Sequence, residues 1–306
     1  MTIKKLIIIF LLFLVLFLFL TNAELVSKSV LNALSFCYKT IIPSLFPFMV
    51  ISSIILYTTR LFGNFKLINL ILDSCKIYSN EILVGLISGF VIGARGICRK
   101  YNDFANKNDF CRAIILSSNA GIGFVIGCVG SIIWDNVLFG ICLYLSQIIS
   151  GIIIFKLSKN NSSFCNAFVP ISDNTVPLFS AIVKAVKISV NSILSICGFN
   201  IFFSVISDII VRLFGLEDKS LSFVLLNALT DFSKGAFCIS QLDSVIVRVF
   251  FTGFCIGFGG ICVHMQIFAE CEEYPISKLR FTLSQALQVV LCGVFSIFFF
   301  VLLNIK

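Results

Sequence analysis

Long uninterrupted runs of apolar residues dominate the chain, and short polar segments separate them. An apolar helix of about 20 residues crosses the hydrocarbon core of a bilayer. Strands of a membrane β-barrel would instead alternate in polarity over about ten residues. The pattern therefore predicts an all-α polytopic membrane protein with seven full spans, at residues 6–20, 41–58, 113–133, 137–155, 188–211, 247–268 and 281–303.

The first apolar run follows two lysines and resembles both a signal peptide and a first transmembrane helix. Residues 21–24 read Thr-Asn-Ala-Glu, which is a poor cleavage site, and the rest of the chain is itself embedded. We therefore expect an uncleaved helix within residues 1–23, with the N-terminus inside. Amphipathic segments at 23–40 and 179–187 are typical of helices at the membrane interface. Pro43 and Pro47 predict a kinked or unwound entry to the span at 41–58.

Two segments are apolar but too short or too broken to cross the membrane. The segment at 82–94 is interrupted by Ser88, Gly89 and Gly93, and basic residues flank it on both sides. The segment at 221–240 is interrupted by polar residues and a glycine in the same way. Broken backbone at membrane depth is tolerated only where it lines a cavity or is buried in protein. Both segments are predicted to be re-entrant hairpins.

An internal repeat is visible in three pairs of strings that occur in the same order. FMVISSII at 48–55 recurs as FSVISDII at 203–210. RLFG at 60–63 recurs unchanged at 212–215, and LISGFVIGA at 86–94 recurs as ALTDFSKGA at 228–236. With three spans and one hairpin in each half, the second half would be inverted relative to the first. The predicted organisation is an N-terminal helix at 1–23, a first repeat at 24–157, a linker at 158–178 and a second repeat at 179–306.

Composition narrows the class further. The chain is 58% hydrophobic and 12% charged, with a mean hydropathy of +1.06, which excludes soluble and disordered proteins. The net charge of +8 is typical of Lys- and Arg-rich cytoplasmic loops rather than of a nucleic-acid-binding face. Basic loops at 60–76, 95–112 and 156–187 then lie inside and the C-terminus lies outside. The 13 cysteines form no CxxC pair or metal-binding spacing, so we expect no metal and no cofactor.

Charged residues in the hairpins are the first candidates for a binding site, because a charge inside a membrane is costly and usually functional. Arg95 ends the first hairpin, and Asp231 and Lys234 lie in the second. Together with half-helix N-termini, the two cations would suit an anionic substrate. Two alternatives stay open: Arg95 begins the cytoplasmic loop, or Lys234 forms an ion pair with Asp231 three residues away.

Polar and small residues in the broken spans complete the candidate set. Ser118 and Asn119 could contact substrate or bond between helices. Gly259 and Gly260 allow close backbone approach to substrate or to another helix. His264, the only histidine, and Gln266 follow them; a lone histidine is often a structural hydrogen-bonding residue. No hydrolase triad or phosphate-binding loop is present in the sequence, so we expect no enzyme.

The strings IIPSLFPFMVISSIIL, SGFVIGAR, SSNAGIGFVIGCVG, DFSKG and GFGGICVHMQ resemble the sporulation integral membrane proteins of YlbJ type. That family belongs to the wider group of membrane proteins with nucleoside-recognition, or Gate, domains. The family's first hairpin usually has a proline and a lysine where Val91 and Arg95 stand. Its second hairpin usually has glutamate at Asp231.

The resemblance implies a role in endospore formation, in the mother cell's membrane around the forespore, and export of dipicolinate, a small aromatic dicarboxylate. The leading hypothesis is a transporter of a small organic anion, namely dipicolinate, embedded in a bacterial membrane. The open alternatives are a non-transporting membrane scaffold for sporulation proteins and a nucleoside transporter. The oligomeric state stays open as well.

Overall fold

The structure, a computed structural model, describes residues 3–58, 79–104, 107–158 and 176–304. These residues are helical almost throughout and include no strand, which confirms the predicted helical class. Most of the polar connection expected after residue 58 and most of the linker at 158–178 fall outside the described residues. Within the described ranges, five helical stretches are long and apolar enough to cross a membrane: Ala23–Ile55, Val137–Leu157, Leu178–Phe214, Val245–Glu270 and Lys278–Leu302. The chain is a polytopic helical membrane protein.

The order of helices is the same in the two halves. Each half has a long helix, two broken pairs of helices and one unbroken helix. After α1 (Ile3–Thr21), the first half consists of α2 (Ala23–Phe36), α3 (Ile42–Thr58), α4 (Ser79–Ser88), α5 (Phe90–Cys98), α6 (Lys107–Ser117), the π-helical α7 (Gly123–Ile133) and α8 (Val137–Leu157). The second half consists of α9 (Leu178–Phe214), α10 (Leu221–Thr230), α11 (Phe232–Ile239), α12 (Val245–Phe258), α13 (Gly260–Glu270) and α14 (Lys278–Leu302).

The long helices differ from the prediction. Helices α2 and α3 join through a π-helical turn at Cys37–Ile41 and run on without unwinding. Proline at position 43 has no N–H to donate four residues back, and the N–H of Ile42 instead reaches the carbonyl of Cys37 five residues back. The helix therefore accommodates Pro43 through this π-helical turn. In the second half, the predicted interfacial helix and the span after it also form one helix, α9.

The predicted span at 113–133 is not one helix. Helix α6 ends at Ser117 and α7 begins at Gly123, and the backbone between them is buried but not helical. Helix α1 has a shorter apolar stretch, Lys5–Thr21, than the five long helices. The side chains of α1 are exposed nearly all round.

Equivalent serines in the two long helices make similar hydrogen bonds. Ser52 of α3 bonds to the hydroxyl of Ser88, at the end of α4. Ser207 of α9 holds the place of Ser52 in the repeated string, and its hydroxyl donates to Asn227 Oδ1 of α10 over 2.7 Å. In each half, the long helix is therefore bonded to the first helix of the broken hairpin.

Many polar side chains are buried inside the bundle together with an apolar core, and large apolar side chains face outward, as expected for a protein dissolved in lipid. Helix α14 is the clearest case, because Gln285, Gln288 and Ser296 are fully buried. Its Leu287 and Val290 are more than half exposed. Helix α12 packs closely on the buried face of α14, where its small residues permit short interaxial distances.

Candidate functional site

The four helix breaks meet in pairs. A Cβ atom on Gly89, at the α4–α5 break, would lie 3.0 Å from the backbone nitrogen of Gly121, at the α6–α7 break. A Cβ atom on Gly260, at the α12–α13 break, would lie 3.0 Å from the backbone nitrogen of Phe232, at the α10–α11 break. Gly89 and Gly260 have φ values of 98° and 77°, which only glycine adopts readily.

Two phenylalanines join the two pairs of breaks. Phe90 is the first residue of α5 and Phe232 is the first residue of α11, and they hold equivalent places in the repeated hairpin string. Their rings contact edge to face, with centroids 5.4 Å apart. Phe124 of α7 also contacts Phe232, at 4.5 Å. All four breaks are therefore gathered around one aromatic centre.

A cavity lies beside this aromatic centre, between the two halves. It is lined by Leu45, Met49, Ser88, Gly89, Phe90, Val91, Gly121, Phe124, Ile196, Phe232, Ser233, Val263 and Gln266. Its volume is about 30 Å³, and one water molecule needs about 10–15 Å³. This conformation has room for about two waters and not for an organic anion.

Two helix N-termini at the cavity differ in their electrostatics. The first N–H groups of a helix have no partner within the helix and carry partial positive charge. At α11, the carboxylate of Asp231 accepts hydrogen bonds from the backbone of Ser233 and Lys234, over 2.8 and 3.0 Å. Asp231 is only 1% exposed, and Asn200 of α9 donates to its other oxygen over 2.9 Å. The α5 N-terminus follows Gly89 and has no side-chain cap.

Lys234 is not paired with Asp231. Its ammonium contacts Asp208 Oδ1 of α9 at 2.5 Å, and Ser29 of α2 donates to the other oxygen of Asp208 over 2.5 Å. The alternative of an ion pair between Lys234 and Asp231 is therefore wrong for this conformation, because Asp231 caps α11 and bonds Asn200 instead.

Arg95 lies at a distance from the breaks, near the end of α5. Its guanidinium makes a bidentate ion pair with Glu270, the last residue of α13, and donates to Ser192 of α9 over 3.1 Å. The side chains of Arg95 and Glu270 are 21% and 22% exposed. The pair ties a helix of the first half to two helices of the second.

Ser118 and Asn119 lie in the α6–α7 break, but Asn119 turns away from the cavity. The amide of Asn119 donates to the carbonyl of Leu116 over 2.7 Å, and its oxygen accepts from Gln288 of α14 over 2.6 Å. The hydroxyl of Ser118 is buried and has no hydrogen-bond partner. These residues contact helices of both halves.

His264 is buried in an aromatic cage. Its Nδ1 lies 2.8 Å from the carbonyl of Gly260, which makes Nδ1 the protonated nitrogen, and Nε2 is buried without a partner. The rings of Phe258, Phe268 and Phe281 surround it. Gln266 lines the cavity and donates to the sulfur of Cys262 over 3.3 Å.

The predicted site residues thus fall into two groups. Asp231, Gly259, Gly260, Ser118 and Asn119 lie at the breaks and Gln266 lines the cavity, whereas Arg95, Lys234 and His264 do not line it. Asn200, Asp208, Glu270 and the two facing phenylalanines were not predicted from the sequence. A signal for Asp208 was present, since an acid replaces Ser53 in the repeated string.

Comparison with known proteins gives one relative. The chain is similar to the sporulation integral membrane protein YlbJ of Bacillus subtilis (strain 168), with 23% identity over 310 aligned positions, which cover 86% of this chain and 75% of that protein. No family model matches the chain, and no solved structure matches it. The apolar helices agree with the words "integral membrane" in the relative's name. At 23% identity, the chain is thus similar over most of its length to a sporulation integral membrane protein of YlbJ type.

Proposed function

We propose that the chain transports a small organic anion, dipicolinate, across the mother-cell-derived membrane around the forespore. The observation that carries the proposal is the meeting of four helix breaks around one aromatic centre, beside a cavity between two similar halves. Discontinuous helices that meet near the membrane midplane form the substrate sites of many secondary transporters. The proposal includes an inverted repeat in which α4–α5 and α10–α11 are re-entrant hairpins.

The chemistry around the cavity fits a flat aromatic dianion. The uncapped N-terminus of α5 offers N–H groups to a carboxylate, and Phe90, Phe124 and Phe232 offer apolar walls for a ring. Arg95 and Lys234 remain the proposed charge partners of the second carboxylate. Each would leave its present carboxylate partner as the substrate enters.

The small cavity implies that the halves separate during transport. Dipicolinate is larger than the two waters for which the cavity has room, so the conformation described here is closed to it. The Phe90–Phe232 contact and the Arg95–Glu270 ion pair connect the halves on this path. We infer that both contacts open when substrate binds.

Transport can be tested with purified protein in liposomes that contain trapped terbium ions, whose luminescence rises when dipicolinate enters. Dipicolinate should enter much faster than it enters protein-free liposomes, and an excess of another aromatic dicarboxylate should slow its entry. Competition by uridine but not by dicarboxylate would favour a nucleoside transporter. No protein-dependent entry, with folded protein in the liposomes, would leave the scaffold hypothesis and refute transport.

The role of Lys234 needs a control for folding, because Lys234→Met alone leaves Asp208 without its cation. Removing one partner of a buried ion pair costs about 3–5 kcal/mol of stability. Lys234→Met should cost less, because the side chains of Lys234 and Asp208 are only partly buried. The double variant Lys234→Met with Asp208→Asn should fold more stably than the single variant but still transport poorly. Normal transport by the double variant would show that the pair is structural.

The hairpin prediction can be tested by thiol labelling. Single cysteines at Ser79, where α4 begins, and at Asn102, just after α5, should react from the same face of the membrane. Labelling from opposite faces would mean that α4 and α5 cross the membrane and that the first hairpin is not re-entrant.

A further inference from the structure

Polar side chains converge where α6 ends inside the protein. The group comprises Ser118 and Asn119 of the break, Gln147 of α8, and Gln285 and Gln288 of α14, and each of them is at most 2% exposed. We call these five residues the amide cluster. It lies between α6, α8 and α14, on the side of the α6–α7 break to which Asn119 turns.

The orientation of the two key amides is fixed by their nitrogens. Gln147 donates to the carbonyl of Ala120 over 3.1 Å. Gln288 donates to Asn119 Oδ1 over 2.6 Å and lies 3.4 Å from the carbonyl of Gln147. Turning either amide round would place two oxygens against each other. The oxygens of Gln147 and Gln288 are consequently left without a partner.

Three buried oxygens of one network therefore have unused lone pairs: Ser118 Oγ, Gln147 Oε1 and Gln288 Oε1. The carbonyls of Ser118 and Ala120, which already accept from Gln285 and Gln147, each keep a second lone pair. The C-terminal end of α6, which carries partial negative charge, is at the same place. A buried polar atom without a partner is costly, and ordered water or a bound ion can satisfy it.

We propose that the amide cluster binds one alkali-metal cation. All its unused groups are neutral, hard oxygens, which suit such an ion. A divalent cation is normally held by carboxylates, and the cluster has none. Neutral amides and a hydroxyl also exclude the cluster as a site that takes up a proton at ordinary pH.

The position of the cation would link it to substrate. Gly121, in the same break, lines the cavity, and a Cβ atom on Gly89 would lie 3.7 Å from the carbonyl of Asn119. An ion that orders this break would also order the cavity wall next to it. The inference that the ion drives transport rests on the proposed function, whereas the binding of the ion does not.

Binding can be measured without substrate, from the thermal unfolding of the full chain in detergent. NaCl and KCl should be compared with N-methylglucamine chloride at equal ionic strength. For an ion about tenfold above its dissociation constant, the melting temperature should rise by about 2–3 °C. No rise with either salt would overturn the proposal.

Variants locate the ion. Ser118→Ala and Gln288→Leu should remove the rise, whereas Ser189→Ala should keep it, because Ser189 is an equally buried and unpartnered hydroxyl on α9, outside the cluster. Ser118→Thr covers the case of misfolded variants: it keeps the hydroxyl of Ser118 and should keep the rise that Ser118→Ala loses. An unchanged rise in all cluster variants would place the ion elsewhere and refute the site. Cation binding without dipicolinate entry would refute transport and leave the cation site standing.

Discussion

A methyl group at the centre of the site should separate two helix breaks. In Gly121→Ala, the new Cβ would lie 2.8 Å from the carbonyl carbon of Ser88 and 2.9 Å from the carbonyl oxygen of Ile87. Both atoms belong to backbone, so no side chain can rotate out of the way. Overpacking of this kind costs about 1–3 kcal/mol. The cavity wall formed by the two breaks should shift as well, which should lower transport.

The matched control is Gly127→Ala, in helix α7, which follows the break that contains Gly121. A Cβ atom there meets nothing within 4 Å, and the loss of glycine's unfolded-state entropy should leave stability unchanged or raise it by up to about 1 kcal/mol. The two variants make the same chemical change and should differ by about 1–4 kcal/mol. Transport by Gly127→Ala should equal that of the original chain.

The single tryptophan provides the measurement. Trp134 packs on Phe139 with ring centroids 4.2 Å apart, and the guanidinium of Arg248 lies 5.4 Å from its ring. Unfolding by sodium dodecyl sulfate, followed by its fluorescence, should give a lower midpoint for Gly121→Ala than for Gly127→Ala. Equal midpoints and equal transport would show that the backbone of Gly121 does not contact that of Ser88, and would refute the close approach of the two breaks.

Three further predictions concern other contacts of the site. Asp231→Asn should lower stability by less than about 1 kcal/mol in chemical unfolding, because asparagine also caps a helix, whereas Asp231→Ala should lower it by about 1–2 kcal/mol or more. Gly260→Ala should be destabilised by about 1–3 kcal/mol in the same assay, since φ is +77° there; a neutral result would contradict the left-handed backbone. Mild oxidation should form a disulfide between Cys98 and Cys271, whose sulfurs are 3.2 Å apart, and should stop transport. The cross-link can be detected on gels after proteolysis between the two residues, and its absence would contradict the contact between α5 and α13.

The helices and their breaks could be predicted because their causes are local. Glycine and polar residues inside apolar runs identified the broken segments at 82–94 and 221–240, and the structure breaks them at Gly89 and Asp231. The α6–α7 break was harder to predict, because residues 113–133 have the length of a full span. Only the buried serine and asparagine in its middle pointed to an interruption, and they also fit ordinary bonding between helices.

The partners of the charged residues could not be predicted, because they are distant in sequence. Arg95 and Glu270 are 175 positions apart, and no local pattern links them. Lys234 had a carboxylate three residues away, yet it pairs with Asp208 because Asp231 is already used as a helix cap. The amide cluster was missed for a related reason: Gln147 and Gln288 are 141 positions apart, and only packing joins them.

Helix α9 constrains how the molecule can move. Ser192 bonds to α5, and Asn200 bonds to the α10–α11 break. Ser207 bonds to α10, and Asp208 bonds to α11. These four bonds are spread over about 24 Å of one helix, so α9 cannot slide along its axis by one turn without breaking all of them at once. Three of them lead to its own hairpin, and one leads to the other half. Helix α9 and the second hairpin should therefore stay joined through Asn200 and Ser207 when Lys234 leaves Asp208. Separation of the two halves must then break the bonds of α9 to Arg95 and to Ser29 of α2.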